Sequence, residues 1–475
     1  MNTLLSLLPI LWLILALSVF KLKAWQATVS ALLVAIGVAA LAFREALPLG
    51  EIPGVVTGGV LFALHPICLI ILAALFTYGV TVESGAMKTI RAGLARITDD
   101  RRALVLIIVW GFGNFMEGMA GYGTAVAIPA AILVGIGFDP VRAVLMCLIA
   151  NTTPTAFGAV GVPLKTLADA SGQDAAALCW TSAWLQAAVT AAGPVLVLLV
   201  LDGWKALKGM GTLLALTEVA FFVPSLLAAW FLGYELPDIL GGVAVMLAVG
   251  WYVTRGRRVE GLGELATAAV PFGFVVLVLG VAAFLPPHLK RLASPGALVL
   301  VAGFAGGLVQ GLSAVRLLRL LRRTLKGYWA AFVTTCAVLA LARVMSAAEM
   351  VQTIAAALVA VTGAAYPYVS ALVGALGGFV TGSGTSSCAL FGGLQARAAE
   401  AIGASPVLLA AANVMGAGIG KMICPQSIAI GAAAAGLVGA ESRLLKSAFP
   451  WFVGVLVAAC LLTGLIAGCY NEGRF

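Results

Sequence analysis

The chain has 475 residues, of which 62% are hydrophobic and 10% charged, with a mean hydropathy of +1.10 and a formal net charge of +9. That composition excludes a soluble globular domain, and apolar runs that are continuous rather than alternating exclude a membrane β-barrel. The basic excess is spread over alternate loops, so it reads as a topology signal and not as a nucleic-acid surface.

Apolar segments follow in chain order at 3–20, 24–43, 66–82, 141–163, 175–201, 212–232, 239–254, 265–285, 296–315, 327–345, 405–423 and 447–468. Most reach the roughly 20 residues that cross about 30 Å of hydrocarbon at about 1.5 Å per residue. The first has no basic start and no small-residue cleavage site, so it is expected to be retained as a helix. Basic clusters lie at Lys21 and Lys23, at 88–102, at Lys205 and Lys208, at Arg255, Arg257 and Arg258, at 316–326, and at Arg443 and Lys446. The connections 44–53, 165–174, 233–238 and 286–295 carry few positives. The positive-inside rule puts the first group in the cytoplasm and the N-terminus outside. Eight cysteines are scattered singly along apolar segments without CxxC spacing and are read as packing residues.

This alternation requires that 103–138 does not cross, because Arg102 and Arg142 belong to the same side. Residues 103–116, about 14 or roughly 21 Å of helix, are too short to span, and 124–137 form a similar second arm. Glycines at 118, 121 and 123 make the bend. The segment is expected to be a re-entrant hairpin from the cytoplasm with Glu117 at its tip, tolerated where it lines a polar cavity or is buried in protein. The alternative is a helix pair with a glycine-rich surface turn.

The chain also repeats itself. GNFMEG (113–118) matches GGFVTG (377–382), and IANTTPTAFGAVGVPL (149–164) matches AANVMGAGIGKMICPQ (411–426). In both, asparagine (Asn151, Asn413) precedes glycine by seven residues (Gly158, Gly420) and proline by twelve (Pro163, Pro425). Seven crossings between the copies invert the second, so a hairpin at 366–402 with tip TGSGTSS (381–387) should enter from outside. Inverted repeats whose discontinuous helices meet at mid-membrane are the architecture of secondary transporters. The division expected is 1–202 for repeat 1, with hairpin 103–138 and broken helix 141–163; 203–295 for linking helices; and 296–475 for repeat 2, with hairpin 366–402 and broken helix 405–427.

Each tip exposes the N-terminus of its returning arm, which favours an anion. Thr124, Ser383, Thr385, Ser386 and Ser387 add hydroxyls, and Asn151 and Asn413 are placed where the repeat-related helices break. These atoms suit a small carboxylate carrying a hydroxyl; the alternative is back-bonding of the hydroxyls to their own helices. Lys421 in an apolar run costs roughly 2.5–3.5 kcal/mol unless paired or solvated, and either a substrate carboxylate pairs it or it snorkels to the cytoplasmic surface. Glu117 is the expected proton carrier, or else a capping carboxylate that stays ionised. Glu218, Arg343 and Glu349 could join the site, although Arg343 could equally face the outer water, and His65 beside Pro66 reads as a kink. No GxSxG, HExxH, Walker loop or metal-ligand spacing is present, so no enzyme activity, cofactor or metal is expected.

At these residues the sequence resembles the L-lactate permease family, itself similar to the wider ion-transporter superfamily. MEGMAGYGTAVAI (116–128) is similar to the family's LEGAAGFGTPVAI, and the 138–163 stretch to one ending ANTAPVAFGAIGIP. TGSGTSSCALFGGLQ (381–395) and GKMICPQSIAIGAAAAGLVG (420–439) resemble TGSDTSSNALFGNLQ and GKMISPQSIAIA. The resemblance implies uptake of lactate, and often glycolate, with protons. It carries Glu117, Gly118, Gly121, Gly123, Thr124, Asn151, Thr381, Gly382, Ser383, Thr385, Ser386, Ser387, Asn413, Lys421, Gln426 and Ser427 onto a site. Ala125, Cys388 and Gly384 depart from the family's proline, asparagine and aspartate or asparagine.

The expectation is therefore an all-α polytopic inner-membrane protein of about 12 transmembrane helices plus two re-entrant hairpins in inverted-topology repeats. Its function is expected to be proton-coupled symport of L-lactate or a related 2-hydroxy monocarboxylate. A sodium-coupled carrier of another organic anion is the alternative. An elevator-like motion and a homodimer are implied by the superfamily resemblance alone.

Overall fold

In hydrocarbon every backbone N–H and C=O has to be satisfied within the protein, and continuous apolar runs achieve this as helices. The computed structural model describes residues 2–255, 262–285, 294–437 and 439–471, and among them there are helices and no strand. Arg257 and Arg258 of the basic loops and His288 in the connection 286–295 lie outside the described residues. Among the described residues nine helices are long and apolar enough to cross a bilayer, or up to eleven if each of two bent pairs is one span. Asn2–Leu17 and Pro295–Val309 are apolar but shorter. The break expected at His65 is present, with φ −137° and ψ 116° inside the run Ile52–Glu83.

The first hairpin begins where Asp100 accepts a hydrogen bond from the Arg102 N–H at 2.9 Å and caps the entering arm. That arm runs through Arg101–Met119, 19 residues, longer than the 14 expected, and by length and composition alone it passes for a span. Its return makes it a hairpin. The chain turns through Gly121, Tyr122 and Gly123, all at positive φ, and Thr124–Gly135 runs back. Arg101 Nη2 then donates to the Gly137 carbonyl at 3.2 Å and its guanidinium lies over the Phe138 ring at 4.1 Å, so both ends meet on one side. Of the entering arm's most apolar window 94% is buried, which places it inside protein rather than against lipid.

The first broken helix consists of Pro140–Ala150 and Pro154–Ser171, bent by 69°, and the second of Pro406–Lys421 and Pro425–Ala434, bent by 45°. The sequence match sets the second break, at 422–424, opposite 160–162. There Ala159, Val160 and Gly161 take φ values of 46°, 58° and 75°. The first helix thus breaks twice, at Asn151–Thr153 and again here. Gly161 is required, because a Cβ would sit 2.4 Å from the Tyr234 carbonyl oxygen of a neighbouring connection.

The second hairpin pairs Pro367–Thr381 with Gly384–Ile402 across Gly382 and Ser383. Gln395 locks its arms, accepting from Tyr366 Oη at 2.9 Å and Ser370 Oγ at 2.8 Å while donating to the Ser370 carbonyl at 2.9 Å. Its entering arm lies backbone to backbone on Pro406–Lys421: a Cβ on Gly374 would meet the Asn413 carbonyl at 2.2 Å, and one on Gly416 the Ala371 carbonyl at 2.0 Å. Small residues at such contacts replace the hydrophobic drive that lipid does not provide.

The packing sets the polarity of the two halves. Gly384 lies against Thr155, and Gly392 against Leu167 and Ala170, so the second hairpin's returning arm runs beside Pro154–Ser171 toward Ser171. Its base is therefore at the opposite end from Arg101 and Gly137. In the same way Gly123 packs on Ile430, and Gly431 on Val126 and Val144, pairing the first hairpin's return with Pro425–Ala434. The two hairpins run in opposite directions and their tips meet. Arg101, Arg102, Arg142 and Lys205 surround the base of the first, which the positive-inside rule makes cytoplasmic.

Candidate functional site

A cavity of about 470 Å³ lies where the tips converge. The first hairpin contributes Glu117, Gly121, Tyr122 and Gly123; the second contributes Thr381, Gly382, Ser383, Gly384, Thr385 and Ser386. Thr155 and Gly158 come from the first broken helix, and Lys421, Gln426, Ser427 and Ile430 from the second. Lys23, Trp25, Trp329, Thr334 and Thr335 bound its cytoplasmic end, with the two indole rings 5.4 Å apart.

At its centre Lys421 Nζ donates to Glu117 Oε1 at 2.6 Å and to Thr155 Oγ1 at 3.4 Å. The two side chains are 8% and 5% exposed, and the ion pair joins positions 304 residues apart. Glu117 stands in the last turn of its arm. Lys421 is the last residue of Pro406–Lys421, where a cation complements the helix dipole. Lysine therefore finds its partner inside the protein; it does not snorkel, and the pairing itself was not expected from sequence. Glu117 Oε2 has no hydrogen-bond partner, nor do Asn151 Oδ1 and both amide atoms of Asn114, one turn below Glu117.

Two helix N-termini also reach the cavity. Ser383 caps one by accepting the Ser386 N–H at 3.2 Å, and the first turn Gly384–Ser386 lines the wall. The other starts at Pro425 with Gln426 and Ser427, without a side-chain cap. Unpaired first-turn N–H groups and the positive helix ends make this wall suited to an anion.

Of the residues singled out in the sequence, Glu117, Gly121, Gly123, Ser383, Thr385, Ser386, Lys421 and Gln426 line the cavity. Thr124, Asn151, Ser387 and Asn413 are not in its lining. Thr124 Oγ1 donates to Gly121 O at 2.8 Å and Met116 O at 3.1 Å, closing its own turn. Ser387 Oγ donates to Gly374 O at 3.0 Å. Asn151 sits at its break as expected, but Asn413 lies inside Pro406–Lys421, well before the break at Met422–Cys424, and its Nδ2 donates to Ser387 O at 3.4 Å. Arg343 pairs with Asp169 at 3.2 Å away from the cavity, and Glu218 and Glu349 are also absent from the lining. Sequence reasoning missed Thr155, although it lies four residues after Asn151 in a quoted repeat. It also missed Trp25, Trp329, Thr334 and Thr335, which sit in ordinary apolar helices with no local signal. Gly384 closes this tip on the break: a Cβ there would be 2.6 Å from Thr155 Cγ2.

A family model described as L-lactate permease matches residues 2–287 and 279–469. The chain is 38% identical to an L-lactate permease of Streptococcus iniae over 86% of this chain and 93% of that one. It is 32% identical to the glycolate permease GlcA of Escherichia coli K12, covering 98% and 97%. Among solved structures, the crystal structure of the Alcanivorax borkumensis YdaH transporter shares the fold at a TM-score of 0.51 and 15% identity, covering 99% and 98%.

Proposed function

The chain belongs to the L-lactate permease family, and from that premise we propose that it moves L-lactate, or a related small 2-hydroxy monocarboxylate such as glycolate, in symport with a proton. It is a multi-pass inner-membrane transport protein. The observation that carries the reading is the Lys421–Glu117 pair between the two tips. A substrate carboxylate can take the ammonium only when Glu117 releases it, and a proton on Glu117 removes the competing charge. Anion and proton are then bound together. The helix N-termini at Gly384 and Pro425 and the hydroxyls of Thr385 and Ser386 supply hydrogen bonds for the rest of a hydroxy acid.

Uptake of labelled L-lactate into proteoliposomes with an acidic exterior tests this. Uptake should rise with the gradient, and Glu117→Gln should abolish that dependence; uptake indifferent to the gradient, or a parental response in Glu117→Gln, rejects the coupling. The unpartnered oxygens of Asn114, Asn151 and Glu117 favour a second reading, in which sodium accompanies another organic anion. Replacing sodium by choline abolishes uptake in that case and leaves it unchanged in proton symport. We assign the hairpins and broken helices to a mobile unit that moves against the remaining helices, 203–295 linking the repeats 1–202 and 296–475, in a homodimer. The support is the superfamily resemblance and the dense packing among those four elements.

A further inference from the structure

Asp238 is the second residue of the helix Pro237–Thr254, which packs along the entering arm of the first hairpin. Gly242 lies against Phe115 and Gly111, and Asp238 and Ile239 lie against Gly118, the neighbour of Glu117. Asp238 is 2% exposed and its Oδ2 has no hydrogen-bond partner. The connection before it joins Gly211–Phe231 to Pro237–Thr254 on the side opposite Lys205 and the base of the first hairpin, which is the outer side by the positive-inside rule. That connection folds inward, with the Tyr234 carbonyl against Gly161. Asp238 is absent from the cavity lining, and the cavity reaches Glu117 from the cytoplasmic end. Glu117 therefore stands between the open cavity and Asp238.

The charged and titratable groups facing Asp238 are Glu117 on the hairpin, Lys421 on the second broken helix and Cys179 on Ala175–Thr190, with Glu235 of the preceding connection facing Cys179. Lys421 is the cation of this set, and its ammonium is already bonded to Glu117. Two buried carboxyls thus share one positive charge. A buried carboxylate without a counterion is costly, and a proton is what can neutralise the second.

We propose that Asp238 is a proton relay: it takes a proton from the outer side and passes it to Glu117, which then releases Lys421 to the substrate carboxylate. This rests on the symport reading. The O–H bond of Asp238 breaks as one forms on Glu117, and outside water returns a proton to Asp238; no electrons change hands. Glu117 later loses its proton to the cytoplasmic cavity. Exchange of substrate across the membrane at equal pH keeps Glu117 protonated and needs no relay, whereas net gradient-driven uptake needs one relay event per cycle.

The test measures both modes in proteoliposomes with labelled L-lactate. Asp238→Asn should leave equilibrium exchange at the parental rate and lower gradient-driven uptake by at least about tenfold, and Asp238→Glu should restore it with a displaced pH midpoint. Parental gradient-driven uptake in Asp238→Asn overturns the relay, and so does equal loss of both modes in the Asn and Glu variants, which marks a structural role. Should Asp238→Asn fail to fold, Asp238→Glu decides, and an undisplaced midpoint overturns the proposal. A parent protein that ignores the gradient defeats the symport reading itself, before any variant is compared.

Discussion

The first hairpin brings a carboxylate to the cavity, while the second brings hydroxyls and a capped helix N-terminus. Their backbones follow one plan with opposite polarity, yet their turns differ: four residues, 120–123, with three at positive φ in the first, against Gly382 and Ser383 in the second. Their supports differ too. The second hairpin is pressed onto its own broken helix through glycines, and the first leans on Pro237–Thr254 and its buried Asp238. A duplicated scaffold has thus divided the work. The first hairpin brings the acid and the second neutral hydrogen-bond donors, while the cation that pairs with the acid, Lys421, comes from the second broken helix.

The largest effect is expected at the joint. Lys421→Met should stop lactate uptake and, by stranding a buried Glu117 carboxylate, destabilise the protein by about 3–5 kcal/mol. Thermal unfolding in detergent checks the second part. The double variant with Glu117→Gln should recover stability without transport, which separates folding from function.

The packing side of the contrast comes next. Gly416→Ala drives a methyl into the Ala371 carbonyl and should cost about 1–3 kcal/mol or more. Gly135→Ala, at the end of the first hairpin's return with nothing within 4 Å of its Cβ position, should stay within about 0.5 kcal/mol. Equal losses at the two positions break the distinction between the fused face of the second hairpin and the open end of the first hairpin's return.

A smaller effect is expected at the second tip. Ser383→Ala removes the cap on Ser386 N–H, costing about 1 kcal/mol, and should raise the KM for lactate because the anion-facing turn frays. The smallest effects distinguish wall from scaffold hydroxyls. Thr385→Ala should raise KM with little change in melting, whereas Thr124→Val should lower stability by about 1 kcal/mol through its lost turn bonds and leave KM unchanged.

Much of the plan was legible in the sequence because it rests on local rules. Lipid demands helices about 20 residues long, basic residues mark the cytoplasmic ends, and glycine and proline mark the breaks. The matched blocks around Asn151 and Asn413 exposed the repeat, and an odd number of crossings implied its inversion. Other features depended on how segments pack. Met119 rather than Met116 ends the entering arm, whose last turn packs on Asp238 and Ile239 of Pro237–Thr254. Asn413 aligns with Asn151 by sequence but lies inside a continuous helix, with its amide bonded across to the second hairpin.

The sequence by itself determined the all-helical membrane class, the two glycine-bearing turns and the presence of a carboxylate and a lysine within apolar stretches, because each follows from composition, spacing or charge placement along the chain. Only the tertiary structure decided that Glu117 and Lys421 are partners, that Thr124 and Ser387 serve their own backbones, and that Asp238 lies behind the pair. Those facts depend on which segments far apart in sequence come within about 3 Å, a distance at which hydrogen bonds and ion pairs form and which no local pattern encodes.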